Sequence, residues 1–305
     1  MAPILEGKNV VKRYGQYVAV DRISFAVPQG SIFGLLGPNG AGKTSLIRII
    51  TGITGADEGE IWFEGKPITN RHPERIGYMP EERGLYKKMK VGEQLIYLAR
   101  LKGMTEAAAK AALKHWLDKF EIGHWWNKKI DELSKGMSQK IQFIATVIHE
   151  PALLILDEPF SGLDPINANM IEREIHQMKQ NGTSIIFSTH RMEQVETICD
   201  HLMLVNQGEN ILWGEVAEIK NRFKPNQFEV QFRGELSAEL MAKVELQILN
   251  PGHLMFKAES EQEANRILRV ILDSGLMISS MHEILPSIND IFIQSVEADL
   301  SQISA

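Results

Sequence analysis

One run of residues limits what this chain can fold into more than any other: Gly37-Pro38-Asn39-Gly40-Ala41-Gly42-Lys43-Thr44, in which four positions separate Gly37 from Gly42 and Lys43-Thr44 follow at once. A phosphate-binding loop has this form. Its glycines stand where backbone must approach an anion closely. Its successive N–H groups point inward, and the helix that follows turns the positive end of its dipole to the phosphate. Gly37, Gly40 and Gly42 meet the first need. Lys43 is expected to reach the β- and γ-phosphates as a point charge, and the Thr44 hydroxyl to ligate Mg²⁺, a cation that takes oxygen donors and keeps several waters. The expected nucleotide contacts run from Gly37 through Ser45 and so include Pro38, Asn39 and Ala41. Both flanks agree: Ser31-Ile-Phe-Gly-Leu-Leu36 reads as a short buried strand and Ser45-Leu-Ile-Arg-Ile-Ile50 as an apolar helix.

The chain has 305 residues. At roughly 150 residues per domain, that is enough for two. With 44% hydrophobic and 24% charged residues, the chain can bury a core and shows no sign of disorder. A net charge of −6 argues against nucleic acid as a partner, which would call for a basic excess. Cys199 is the only cysteine, so an intrachain disulfide is excluded and no zinc spacing exists. A reducing cytosol fits best. The first residues lack the form of a secretory signal, and no apolar run approaches the ~20 residues of a membrane span. If the protein acts at a membrane, another chain is expected to span it.

From Ile4 to Val27 the pattern predicts two or three short strands, with Tyr14 among them. Glu60–Phe63 with Lys66-Pro-Ile predicts a hairpin, and Gly77-Tyr-Met-Pro80 a further strand. Apolar spacing over Gly92–Gly103, and again after Thr105 at Leu113, Leu117 and Phe120, predicts a separate helical layer. Trp116, Trp125 and Trp126 read as its packing residues. Lys87-Lys-Met-Lys90 and Lys128-Lys129 read as solvated faces. Ser134 occupies the N-cap place of another helix, which Pro151 ends. Ala152–Asp157 is a fully apolar strand that delivers Asp157 and Glu158 at its carboxyl end, the edge at which open α/β sheets bind ligands. Ser161-Gly-Leu-Asp-Pro165 turns into a helix through about Lys179. Ser184–Ser188 is another buried strand running out to His190, and a helix from Met192 to Cys199 and a strand Leu202–Val205 complete the alternation.

The character changes near Arg222. Phe228, Val230 and Phe232 alternate with polar residues as in a half-exposed strand, Glu261–Ser274 has a helical apolar stripe ending at Gly275, and Ser287 with Asp290 resembles a capping box for a helix through Val296. This stretch shows no catalytic constellation. The expected division is 1–220 and 221–305, the second part being a small α+β regulatory or dimerisation module.

A cradle with a strand-end Asp-Glu supplies what phosphoryl transfer to water needs, and kinases and small GTPases share most of it. The residues between and after discriminate. Leu133-Ser134-Lys135-Gly136, Asp157-Glu158-Pro159, Ser161-Gly162-Leu163-Asp164 and Ser188-Thr189-His190 follow the cradle in a fixed order. Together these motifs resemble the ATP-binding cassette (ABC) ATPase family, from Leu5 to about Gly214. The resemblance implies an α/β P-loop NTPase fold with a RecA-like core, an antiparallel β subdomain and a helical subdomain over about 83–150, followed by the small C-terminal domain. It implies ATP and Mg²⁺ as cofactors and a head-to-tail homodimer, since this chain has one cradle. On this resemblance Tyr14 stacks on adenine, Asp157 holds the Mg²⁺ water shell, Glu158 is the general base and His190 contacts the γ-phosphate. Ser134 and Gly136 act on the partner copy's ATP, and Asp164 communicates between the two sites.

Two positions depart from the family pattern. Lys135 and Met137 stand where the signature has a glycine and a glutamine, and Lys135 either adds positive charge near the facing phosphate or points to solvent. Glu81 replaces a glutamine, so a carboxylate takes the place of a neutral Mg²⁺ ligand. In cassette subunits the stretch corresponding to Arg83–Leu98 contacts a membrane partner. Pro80-Glu-Glu-Arg-Gly-Leu-Tyr86 and the tail are similar to export-type systems, including the sodium-efflux subgroup. The expectation is an ATP hydrolase on the cytoplasmic face of a membrane, driving a separate permease. The alternatives are a cassette ATPase acting on a soluble or ribosomal partner, and a regulatory or scaffold protein in which hydrolysis is vestigial.

Overall fold

The computed structural model describes residues 2–68, 74–82, 84–237, 240–241 and 244–303, with side chains to residue 296; Arg83, at the start of the expected membrane-partner stretch, lies outside them. The chain divides into one compact unit of residues 1–216 with 294–305 and a second of residues 217–293.

The first unit opens with a hairpin of two twelve-residue strands, β1 (Pro3–Tyr14) and β2 (Tyr17–Pro28), in place of the two or three short strands expected. The difference has a local cause. Asn9 and Arg22 take φ of 48°, and the pairing shifts register between Gly7 and Val10 and again before Lys12. Bulges of this kind break the apolar alternation without ending the strand, so a period-2 reading stops too early. With β4 (Glu58–Phe63) and β5 (Lys66–Pro67) the hairpin forms an antiparallel sheet in the order β2-β1-β4-β5.

A second sheet has the order β10-β9-β3-β8-β7-β6. Its strands β6 (Ile76–Met79), β7 (Leu153–Asp157), β8 (Ser184–Thr189), β3 (Ile32–Leu36) and β9 (His201–Asn206) run parallel. All five residues of β3 and of β7 are buried, as sheets covered on both faces require. β10 (Glu209–Glu215) adds an antiparallel edge that the sequence reading omitted. Its turn, Gln207-Gly208, has φ of 48° and 87°. That is the geometry of a two-residue hairpin loop, but Gln at the first place is not the Asn or Asp that announces such a turn. The helices α1 (Lys43–Ile50), α5 (Pro165–Gln180) and α6 (Met192–Ile198) follow β3, β7 and β8. A single core joins the two sheets, with Phe33, Phe63, Leu46 and Ile47 fully buried in it.

Between β6 and β7 lies a layer of three helices, α2 (Val91–Leu101), α3 (Glu106–Lys119) and α4 (Lys135–Val147). Thr105 caps α3 by accepting from the Ala108 N–H, and Ser134 caps α4 by accepting from the Met137 N–H. The tryptophans pack: Trp116 lies 5.8 Å from Phe120 and 6.1 Å from Phe143 between ring centroids, and Trp126 fills the space over Gly92. The lysines of both basic stretches are exposed, and Lys88 pairs with Asp131 at 2.8 Å. Among the described residues no helix is long and apolar enough to cross a membrane.

α7 (Val216–Arg222) leads into the second unit, a sheet in the order β12-β13-β11-β14 built from β11 (Gln227–Arg233), β12 (Gln247–Asn250), β13 (His253–Lys257) and β14 (Met277–Glu283). α8 (Glu261–Asp273) follows β13, and Leu240 and Met241 are helical between β11 and β12. This is the split βαβ order of a ferredoxin-like fold. Only β11, α8 and the final helix α9 (Ile288–Ile303) are legible in the sequence. All four residues of β12 are exposed, and β14 is half polar, so neither shows a core-facing period. Val230, Phe232, Leu254, Phe256, Ala264 and Ile271 form the core of this unit. The reciprocal cap is present: the Ser287 N–H donates to Asp290 and the Asp290 N–H to Ser287 Oγ at 3.1 Å, and α9 runs on past Val296 to Ile303.

Candidate functional site

The loop from Gly37 to Thr44 leaves the carboxyl end of β3 and enters α1 through Gly42, whose φ of 111° begins the helix. Side chains are barred at both ends of the loop: a Cβ at Gly37 would strike the Val205 carbonyl, and one at Gly42 the Ala19 carbonyl. At Gly40 there is open space but φ is 81°, so the demand is for backbone freedom. Lys43 is buried and folds back on its own loop, its Nζ donating to the carbonyls of Gly37 at 2.7 Å and Pro38 at 3.0 Å. Burial lowers its pKa, against the pull of Glu158, Asp157 and Glu81.

The three carboxylates come from two neighbouring strands. β7 ends in Asp157, 5% exposed; burial raises its pKa, Glu158 and Glu81 raise it further, and the nearby Ser188 hydroxyl and Lys43 oppose them. Glu158 follows in the left-handed region at φ 50°, an unfavourable backbone for a side chain of this kind. Its carboxylate is held against the end of β8. Oε1 accepts from the His190 N–H at 2.8 Å and meets His190 Nδ1 at 2.6 Å, and Oε2 accepts from Thr189 Oγ1 at 3.2 Å. Glu81 follows Pro80 after β6, and Gln142 of α4 fixes that turn by donating Nε2 to the Pro80 carbonyl at 2.8 Å.

A cavity of about 220 Å³ gathers Tyr14, residues 39–45, Glu81, Asp157 and Glu158. Gly37 and Pro38 reach it through their bonds to Lys43, and His190 through Glu158. Tyr14 is 46% exposed at the end of β1, with the Lys12 ammonium 5.7 Å from its ring centroid. Ser134, Gly136 and Asp164 are not in this cavity. Ser134 is exposed at the start of α4, and Asp164 caps α5 by accepting from the Asn167 N–H at 3.1 Å, bonds that lower its pKa.

Four supporting residues escaped the sequence reading. Tyr17 donates its hydroxyl to the Gly40 carbonyl at 3.1 Å, Thr189 holds Glu158, and Gln139 and Gln142 pin the turns after β7 and β6, Gln139 donating to the Pro159 carbonyl at 3.0 Å. Only the glutamines left a trace, as polar residues within a helix whose neighbours are apolar.

Buried or crowded acidic oxygens with one buried lysine suit a hard divalent cation. Among the described residues no three His, Cys, Asp or Glu side chains converge as a metal cage, so a cation here would take part of its shell from a nucleotide and water. Held phosphates, a cation and a carboxylate oriented by two partners are what nucleotide hydrolysis requires.

The comparisons agree with this chemistry. Residues 20–161 match the family model described as ABC transporter, and residues 214–296 match that of the ATP-binding protein DrrA1-3-like, C-terminal domain. The chain is 42% identical, over 95% of its length and 97% of the relative's, to YhaQ of Bacillus subtilis, named as an uncharacterized ABC transporter ATP-binding protein. It is 36% identical to Nod factor export ATP-binding protein I of Burkholderia lata over 70% of this chain and 71% of that one. A solved structure titled as the ATP binding subunit of an ABC transporter superposes with a TM-score of 0.68 at 29% identity, covering 72% of this chain and 93% of the other.

Proposed function

This chain belongs to the ABC transporter ATP-binding proteins, a family that hydrolyses ATP in transport, and from that premise we propose that two copies close head to tail around two ATP and Mg²⁺ and power a separate membrane permease, in the direction of export. The observation that carries the two-copy reading is that one chain's nucleotide cavity is lined by neither Ser134 nor Gly136 nor Asp164. Ser134 is exposed at the start of α4, with Gly136 in the same first turn, where N–H groups and a hydroxyl suit a phosphate brought by another molecule. Export is supported by the relative named for Nod factor export. The permease would hold the chain at the cytoplasmic face.

Within the site, Lys43 exchanges its two loop carbonyls for the β- and γ-phosphates, and the N–H groups of residues 39–45 cradle them. Tyr14 offers its ring to adenine. Thr44 and Glu81 would offer oxygen donors to Mg²⁺ and Asp157 would hold its water shell; the cation when bound would neutralise charge on the phosphates. Glu158 takes the proton of the attacking water, oriented by Thr189 and His190, and His190 then faces the γ-phosphate. Glu81 in place of a neutral ligand draws the cation more strongly and repels the free triphosphate.

The test is a tagged Glu158→Gln chain recovered from mild-detergent membranes with ATP. A co-purifying polytopic membrane protein is expected. Recovery with ribosomes or soluble partners alone would instead support the non-transport alternative. Light scattering of the same variant should show a dimer with Mg-ATP and a monomer without it.

A further inference from the structure

The lysine at position 135, where the family signature has glycine, neither reaches the chain's own nucleotide cavity nor extends freely into solvent. Lys135 is the first residue of α4, and its Cδ, Cε and Nζ all lie within 2.8 Å of the point a Cβ on Gly162 would occupy. The stem therefore lies across the bare Cα of Gly162, a residue held at φ 71°. No ion pair joins Lys135 to a carboxylate among the described residues, although Glu81, Glu82 and Asp131 line the same groove.

Gly136 faces the same segment, and one hydrogen bond joins the two elements further on. A Cβ built on Gly136 would stand 3.7 Å from Leu163 Cδ2 and 4.0 Å from Asn167 Nδ2, and Asn167 is the residue whose N–H binds Asp164. One turn on, Gln139 donates to the Pro159 carbonyl at 3.0 Å, the bond being buried. Residues 135 and 139 share a helix face. The first turn and a half of α4 thus holds the segment 159–164 at Pro159 and at Gly162, and that segment directly follows Glu158.

We propose that Lys135 is a positioning residue: its aliphatic stem splints the Ser161–Asp164 loop to the start of α4, so that Ser134 and Asp164 move as one piece. A positive-φ glycine with no side chain of its own has little to hold it, and the outer half of the lysine side chain, Cδ through Nζ, covers it. The consequence for catalysis rests on the two-copy reading above, in which both groups serve the facing site; the splint itself does not.

Lys135→Ala, Lys135→Met and Lys135→Arg separate stem from charge, and Lys135 is exposed enough for all three to fold. In the nucleotide-free chain, amide hydrogen exchange of residues 160–164 is expected to quicken in Lys135→Ala and to stay as in the native chain in Lys135→Met and Lys135→Arg. Lys135→Ala is expected to lower kcat about 10-fold, the cost of a displaced group, with KM for ATP unchanged, and Lys135→Met to recover most of the loss. Unchanged exchange in Lys135→Ala overturns the proposal. So does a Lys135→Met chain as slow as Lys135→Ala while Lys135→Arg stays active, which would make the charge the working part. Failure of the native-Lys135 Glu158→Gln chain to dimerise would strike the two-copy reading and leave the exchange result standing.

Discussion

Glu158 and His190 are joined twice. The carboxylate Oε1 accepts the His190 backbone N–H at 2.8 Å and lies 2.6 Å from its ring Nδ1, so the backbone bond fixes the residue's place and the ring bond its orientation. With Glu158 as the carboxylate, the ring contact is one in which Nδ1 donates. The strand-end carboxylate and the histidine therefore form one unit, with Thr189 holding the other oxygen.

Glu158→Gln is expected to lower the ATP turnover rate about 1,000-fold, within the range of a lost general base, while ATP still binds. His190→Ala should cost less, about 100-fold, because Thr189 and the backbone N–H at position 190 still hold the carboxylate. Steady-state phosphate release and nucleotide binding by the same preparations check both. Equal losses in the two variants would count against separate roles for them.

Lys43→Ala is expected to weaken ATP binding about 100-fold, in line with loss of a charge-assisted contact to phosphate. The fold should survive, because the substitution removes only the two bonds from Lys43 to the Gly37 and Pro38 carbonyls of its own loop. Titration calorimetry with ATP, and circular dichroism of the free protein, measure the two parts. Unaltered affinity would remove Lys43 from the phosphate site.

Gln142→Leu keeps the volume of a buried side chain and removes the donor that fixes the Pro80 carbonyl ahead of Glu81. The orphaned carbonyl should cost about 1–3 kcal/mol of stability. Urea unfolding reads this directly, and the Mg²⁺ concentration for half-maximal turnover should rise as Glu81 loses its anchor. A variant as stable as the native protein would show that the bond contributes nothing net.

His149 is partly buried in the first unit, and its pKa is lowered from 6.5 to about 4, by burial first and by the Lys102 charge second, with a bond to the Ile76 backbone opposing. Between those values the unfolded chain binds a proton that the folded chain refuses. Stability should therefore fall as pH drops from 6.5 towards about 4 and then level off. This residue sets a ceiling of about 3 kcal/mol on the change. Urea midpoints across that window for the native chain and His149→Leu test it, since the variant should lack this part of the slope. Parallel slopes would assign the acid sensitivity to other groups.

Much of the site can be read from spacing alone because its parts are local in the chain. Gly37–Thr44 is a continuous loop between a strand and a helix, Asp157-Glu158 closes an all-apolar strand, and the Ser134 and Thr105 caps are each set by bonding within one turn. The parallel strands β3, β7 and β8 were legible for the same reason, as short runs with no charged residue inside. Lys135 was not: the alternatives of a charge for the facing phosphate and a solvent position both missed the Gly162 backbone, which reaches it from beyond β7.

The sequence by itself determined the phosphate loop, the order of the strand-helix repeats and the chemical types available at each strand end, since these depend on backbone freedom, apolar period and side-chain charge at neighbouring positions. The tertiary structure alone decided which groups meet. It brought Glu158 to His190, Gln142 to Pro80, and β12, β13 and β14 into one sheet with β11. Contacts of that kind depend on pairing between strands far apart in the chain, and loop closure over such distances leaves no periodic mark in it. The edge strands β10, β12 and β14 were hidden for a related reason: with one side open to water they carry no continuous apolar face, and only their neighbours specify them.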